Sequence, residues 1–196
     1  NSTFKGNEVP EDAKYKGWRP DSRTYEEIKD YKLANGEPLP TLDDYLNQAK
    51  LYPNVKLIIE IKNHNTTDKT MRAAQTCVDA VKAKGLQNQV EYIAFSYDVC
   101  KKLAGLAPEA TVQYLNGDKA PSTVFADGIK GIDYSYSKLT DAWIKEANGL
   151  GMTVNVWTVN NDSDMLNFIA KGVSLITTDK PVEGLELLSK PFVTEE

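Results

Sequence analysis

The sequence predicts an α/β protein built on a parallel sheet, and three observations carry that prediction. Short apolar runs alternate with helical patterns from residue 41 onward, the rhythm of successive βαβ units. The run at residues 55–61 is apolar on both faces, as a parallel strand buried on both sides must be. Several helical patterns close at glycine, at Lys84-Gly85, Leu150-Gly151 and Lys171-Gly172, where a left-handed residue ends a helix before the next strand.

Taken in order, residues 1 to about 40 stand apart, rich in Gly, Pro, Lys, Glu and Asp. They hold one short helical candidate, 24–31, capped by Asp21 or Ser22, and read as a surface excursion of a single domain. At Pro40-Thr41-Leu42-Asp43-Asp44-Tyr45-Leu46 an N-cap threonine followed by two acids opens an amphipathic helix. Leu42, Tyr45, Leu46 and Ala49 are expected to face inward. Strands are predicted to begin near Val55, Val90, Thr111, Gly131, Thr153 and Val173, with helices at 70–84, 97–106, 140–150 and 163–170. Residues 118–128 leave room only for a stubby helix.

Six strands are two short of an eight-stranded barrel, which typically runs to ~250 residues. Six cannot close that circuit without unpaired edges. Either a further segment completes a barrel or the sheet is open. The first forty residues show no good strand run, so the shortfall is expected to lie before residue 1. Asn1-Ser2-Thr3 is neither an initiator Met nor a signal peptide with an apolar centre, and the chain reads as processed, trimmed or cut from something longer.

Composition narrows the function classes. With 41% hydrophobic and 26% charged residues over 196 positions, the chain can bury a real core. No window approaches 18 consecutive apolar residues, so no transmembrane segment is expected. A net charge of −5 without any Lys/Arg cluster argues against a nucleic-acid partner. Cys77 and Cys100 fall in helical patterns without metal-like spacing and read as small buried hydrophobes.

The chemistry is predicted at the carboxyl ends of the strands, where α/β folds place it. In Val55-Lys56-Leu57-Ile58-Ile59-Glu60-Ile61-Lys62, alternation puts Ile58, Glu60 and Lys62 on one face. Charges on a buried strand are costly unless paired or bound to a metal. The other ends would contribute Phe95 and Ser96, Tyr114 to Asn116, Tyr134 and Ser135, Trp157 to Asn160, and Thr177 to Asp179. A carboxylate suits a hard cation such as Mg²⁺ or Ca²⁺, and an ammonium suits a phosphate oxygen. One carboxylate is not a metal site, and no further oxygen ligands are evident at matching positions. Trp157 at a pocket mouth, beside a polar Asn, would suit a ligand with an apolar stem.

Four motifs in register then carry a resemblance. They are Leu39-Pro40-Thr41-Leu42-Asp43-Asp44-Tyr45-Leu46, Glu60-Ile61-Lys62, Trp157-Thr158-Val159-Asn160, and Gly172-Val173-Ser174-Leu175-Ile176-Thr177-Thr178-Asp179-Lys180-Pro181. From about residue 24 to 188 the chain resembles the glycerophosphodiester phosphodiesterases. The resemblance implies a TIM (β/α)8-type barrel, present here as an incomplete barrel of about six βα units. It implies a hydrolase that cleaves glycerophosphodiesters, such as deacylated phospholipids, to glycerol 3-phosphate and an alcohol with a divalent cation. Carried over, Glu60 is a metal ligand, Lys62 binds the phosphate and stabilises charge in transit, and Phe95 and Trp157 line the substrate cleft.

The departures are equally specific. The family opens with a His-Arg-Gly strand followed by a Glu, a Glu-x-Asp pair and a His-Asp pair; its histidines act as general acid and base, and these early carboxylates complete the metal site. None of these occurs here. Asn1-Ser2-Thr3-Phe4-Lys5 is similar to the stretch just after the family's His-Asp pair, so the chain is expected to be the carboxyl-terminal three quarters of such an enzyme and inactive alone. His64, the one histidine, matches neither family position and is expected to be a loop residue near the cleft mouth with no proton-transfer role. The alternative is a non-catalytic phosphoester-binding module that keeps Lys62 and Trp157; a related barrel lyase or hydrolase is a weaker third reading.

Overall fold

The computed structural model describes Phe4 and residues 14–189. They fall into two compact units, one built from residues up to Val55 together with Asn63–Leu86, the other from Lys56–Lys62 and the chain from Gln87 on.

The first unit holds helices α1 (Tyr25–Ile28), α2 (Leu42–Lys50) and α3 (Thr67–Lys84). The expected helix at 24–31 is a single turn whose Thr24 N–H donates to Glu27 Oε2 at 2.8 Å. The segment read as a surface excursion carries a small aromatic core of its own. Phe4, Tyr15, Ile28 and Tyr31 are buried, with Trp18, Leu33 and Leu39 packed against them. Phe4 and Tyr31 stack at 4.2 Å between centroids, and Arg23 lies 3.9 Å over the Trp18 ring. In α2 the Thr41 cap forms as expected: its Oγ1 accepts from Asp44 N–H, and Asp44 Oδ2 accepts from Thr41 N–H. Only Leu46 is buried there, however. Tyr45, expected to face inward, is 55% exposed. Asp43 and Asn47 instead bind Lys84 of α3, at 2.6 and 2.8 Å. α3 starts three residues earlier than expected, on a Thr66 cap, and ends at Gly85, whose φ of 71° lets its N–H reach back to Val81 and Lys82.

The second unit holds the sheet. Strands β1 (Leu57–Ile61), β2 (Val90–Ala94), β3 (Val112–Tyr114), β4 (Gly131–Ser135), β5 (Thr153–Trp157) and β6 (Leu175–Ile176) pair in sequence order, every pair parallel. With its helices this is an incomplete TIM-type α/β barrel. Helices α4 (Tyr97–Leu106), α5 (Pro121–Ala126), α6 (Asp141–Gly149), α7 (Asp162–Ala170) and α8 (Pro181–Ser189) follow β2 to β6 in turn. The stubby helix expected at 118–128 is α5, and α8 was not foreseen as an element.

Alternation divides the sheet into two chemically distinct faces. One face presents Tyr92, Ala94, Val112, Tyr114, Ile132, Tyr134, Val154 and Val156, all at most 2% exposed. α4 packs on β2 and β3, α5 on β4 and α6 on β5. Burying a Val or Ile in this layer contributes about 1.5–3 kcal/mol, so it anchors the unit. The other face carries Glu60, Glu91, Gln113, Asp133 and Asn155. Its lower network runs from Lys56 Nζ to Glu91 Oε1 and from Gln113 Nε2 to Glu91 Oε2, each at 3.0 Å. Gly131 is small for a reason: a Cβ there would meet Gln113 Cγ at 2.8 Å and Thr153 O at 3.0 Å.

Candidate functional site

The site lies where the polar face reaches the carboxyl ends of the strands. β1 delivers Glu60 as its penultimate residue and Lys62 just beyond its end, both of one parity and so on one face. Lys62 Nζ stands 2.6 Å from Glu60 Oε1. That oxygen is itself buried, and no hydrogen bond is aligned with it. The lysine side chain is 60% exposed, so this ion pair is worth at most about 1 kcal/mol. Lys62 can therefore leave Glu60 for a better anion at little cost.

β2 and β5 supply an apolar wall. Phe95, just past β2, meets Trp157, the last residue of β5, edge to face at 5.8 Å and 78°. Trp157 is fixed by its indole, whose Nε1–H donates to the Asp133 carbonyl at 2.9 Å. Phe95 remains 38% exposed, leaving its ring available to a ligand.

β4 contributes a residue that sequence reading passed over. Asp133 is 1% exposed, and its Oδ1 is buried without a hydrogen-bond partner. Burial pushes its carboxyl up to about 7; the charge of Glu60 adds to the rise, and a hydrogen bond from Asn155 opposes it. The signal was present: Asp133 shares the parity of Gly131 and Ser135, so it belongs on the same face as Glu60.

Other expected site residues divide. Tyr114 and Tyr134 point to the helices, a correction to their expected place among the converging strand ends. Tyr114 meets Tyr97 of α4 at 4.9 Å and donates to Asp118 Oδ1 at 2.6 Å, while Tyr134 meets Trp143 of α6 and donates to Lys119 O at 2.8 Å. Ser96 caps α4 through Val99 N–H. Thr177 is tied to Asn155 at 3.3 Å. Asn160 joins the loops after β5 and β6, donating to Asp179 Oδ2 and accepting from Asp179 N–H, both at 2.8 Å. An open cavity of about 320 Å³ adjoins this junction, lined by Tyr136, Thr158, Val159, Asn160, Asn161 and Asp164.

His64 belongs to the other unit. It is half-buried in the loop before α3, and its backbone N–H donates to Thr70 Oγ1 at 3.0 Å. Cys100 is buried, as expected, whereas Cys77 is only partly so.

Chemically, the site offers an ammonium for an anion, an aromatic wall, and two carboxylates with buried oxygens, that of Asp133 without a partner and that of Glu60 met only by the Lys62 ammonium. Carboxylate oxygens suit a hard cation, so the residues present fit such an ion. Among the described residues no cluster of three or more His, Cys, Asp or Glu side chains could hold a metal alone. No described helix is long and apolar enough to cross a membrane.

Known proteins share this fold. The chain is similar to a glycerophosphodiester phosphodiesterase from Parabacteroides distasonis at 43% identity, over 84% of this chain and 70% of that one, with a TM-score of 0.81. The fold is shared with a phosphodiesterase from Oleispira antarctica solved with its product sn-glycerol-3-phosphate, at 17% identity over 89% and 74% of the two chains and a TM-score of 0.74. It is shared too with a glycerophosphoryl diester phosphodiesterase from Silicibacter pomeroyi, at 21% identity over 88% and 70%, with a TM-score of 0.76. No curated protein matches the chain. The model of the glycerophosphoryl diester phosphodiesterase family matches residues 10–183, which takes in every strand of the sheet together with Glu60, Lys62, Phe95, Asp133 and Trp157, and the chain belongs to that family.

Proposed function

We propose that the protein hydrolyses glycerophosphodiesters, deacylated phospholipids among them, to glycerol 3-phosphate and an alcohol, with a divalent cation, Mg²⁺ or Ca²⁺, held at Glu60. The single observation behind this reading is the end of β1, where a buried carboxylate oxygen of Glu60 stands 2.6 Å from the exposed Lys62 ammonium. The product bound to the Oleispira phosphodiesterase supports glycerol 3-phosphate as the product class.

Each residue has a distinct task. Lys62 binds a phosphoryl oxygen and stabilises the charge that grows on it during displacement, an effect worth more inside a cleft than in water. Phe95 and Trp157 form the apolar wall against which the carbon skeleton of the substrate rests, orienting the ester for attack. When bound, a divalent cation polarises a phosphoryl oxygen and offsets its charge. No histidine lies at the described strand ends to carry a proton to the leaving alcohol, so the 196 residues alone are expected to be inactive.

An assay of the full-length protein on glycerophosphocholine with Mg²⁺ or Ca²⁺ tests the assignment. Glu60→Ala and Lys62→Ala should each lower kcat/KM by roughly 10²–10³, as loss of one preorganised electrostatic group does. Lys62→Ala should also weaken glycerol 3-phosphate binding. Activity unaffected by Glu60→Ala would remove the cation from that residue, and unchanged product affinity in Lys62→Ala would remove the ammonium from the site.

A further inference from the structure

Glu60 cannot hold a divalent ion by itself, because such ions collect several oxygen ligands. A second carboxylate on the same face is therefore the residue to ask about. Asp133 projects from β4 with the parity that places Gly131 beside Gln113 and Ser135 level with Trp157. It is 1% exposed, which is rare for an aspartate unless something compensates its burial. Its protein partners do not complete that compensation: Asn155 donates to the carboxylate, yet Oδ1 remains buried and bare. The buried Oε1 of Glu60 meets only the Lys62 ammonium, an exposed group that can leave it, and the charge of Glu60 is felt at Asp133. Two carboxylates that repel each other, one of them with a buried oxygen that nothing holds, would both gain from a cation between them.

A purely structural role accounts poorly for these facts. A buried aspartate that exists to hold backbone or side-chain donors has its oxygens occupied, as Glu91 does through Lys56 and Gln113. The surroundings of Asp133 are also rigid in the way a ligand needs. Its main-chain carbonyl is clamped by the Trp157 indole at 2.9 Å. Asn155 is held in place by its own links to Val156 N–H at 2.8 Å and to Thr177 at 3.3 Å. Ligands oriented by fixed neighbours in this manner set metal affinity.

We propose that Asp133 is a further oxygen donor to the divalent cation at Glu60, so that carboxylates from β1 and β4 hold the ion jointly. The inference rests on the cation assigned to Glu60 above. It also makes the Phe95–Trp157 wall contiguous with the ion site through the indole–Asp133 hydrogen bond, so a substrate resting on that wall presents its phosphate toward the ion.

Binding, measured without substrate, tests this. Terbium luminescence excited through the indoles, with Ca²⁺ or Mg²⁺ as competitor, reports ion affinity on the full-length protein. Asp133→Asn keeps size and the Asn155 contact while removing the charge, and it should weaken the ion at least ~10-fold, the scale seen when oriented ligand-shell groups are lost. Ca²⁺ should raise the melting temperature of the wild type and raise it less in Asp133→Asn, which also checks that the variant folds. Asp164→Asn, at the rim cavity, should leave affinity unchanged. Affinity lost in Glu60→Gln but retained in Asp133→Asn would overturn this inference alone. Affinity retained in Glu60→Gln, or absent from the wild type, would overturn both it and the assignment of the cation to Glu60.

Discussion

Asp133 shows what one residue's environment does to stability as well as to chemistry. Its carboxyl is pushed up to about 7 from an ordinary 3.8, chiefly by burial. The unfolded chain releases this proton near pH 4, whereas the folded chain keeps it until about 7. Folding therefore binds a proton at Asp133, and the contribution of this group to stability is greatest below about pH 4. It declines as pH rises from about 4 to 7, by about 1.4 kcal/mol per pH unit, and levels off above. In chelator, urea midpoints of the wild type should fall between pH 5 and pH 8, and Asp133→Asn should remove most of that fall. Parallel pH dependence in the two proteins would show that Asp133 ionises freely when folded.

At the scale of elements, the six strands and most of the helices between them were legible because patterns repeat. Two residues per strand period and 3.6 per helix turn fix apolar faces over five to eighteen positions. The caps at Thr41 and the glycine at Gly85 were equally readable, since local chemistry alone decides them. What failed were judgements on single side chains at strand ends. Tyr114 and Tyr134 end their strands, yet parity sends them to the helices, and the same parity brings Asp133 in. Strand ends taken without their phase admit two residues that face the helices and miss one that lies on the face of Glu60. Tyr45 failed for a related reason: an amphipathic pattern cannot reveal that Asp43 and Asn47 would engage Lys84 instead. The polar layer also explains why β4 opens with glycine. Gly131→Ala would drive a methyl to 2.8 Å from Gln113 and 3.0 Å from Thr153 O. It should destabilise the protein by about 1–3 kcal/mol, the range for overpacking, measured as a lower urea midpoint. A neutral result would mean that Gln113 swings aside freely.

For the molecule as a whole, the two sheet faces divide the labour: an apolar face under the helices supplies stability, and a polar face carries the proposed site. That division predicts that binding and turnover separate in this 196-residue chain. With Lys62, Phe95 and Trp157 in the roles proposed above, glycerol 3-phosphate should quench the indole emission, and Lys62→Ala should weaken that response. Catalysis demands more, because general acid–base transfer supplies roughly 10²–10⁴ in rate. The residue type that usually performs it near neutral pH occurs once, at His64. Its ring has no hydrogen-bond partner to fix a tautomer among the described residues, as the orienting third group of a proton carrier would. Glycerophosphocholine should accordingly be hydrolysed by the segment at the uncatalysed rate, and by the full-length enzyme at a rate that His64→Ala does not change. Turnover by the segment that vanished in His64→Ala would make this loop histidine the proton carrier and reverse its assignment.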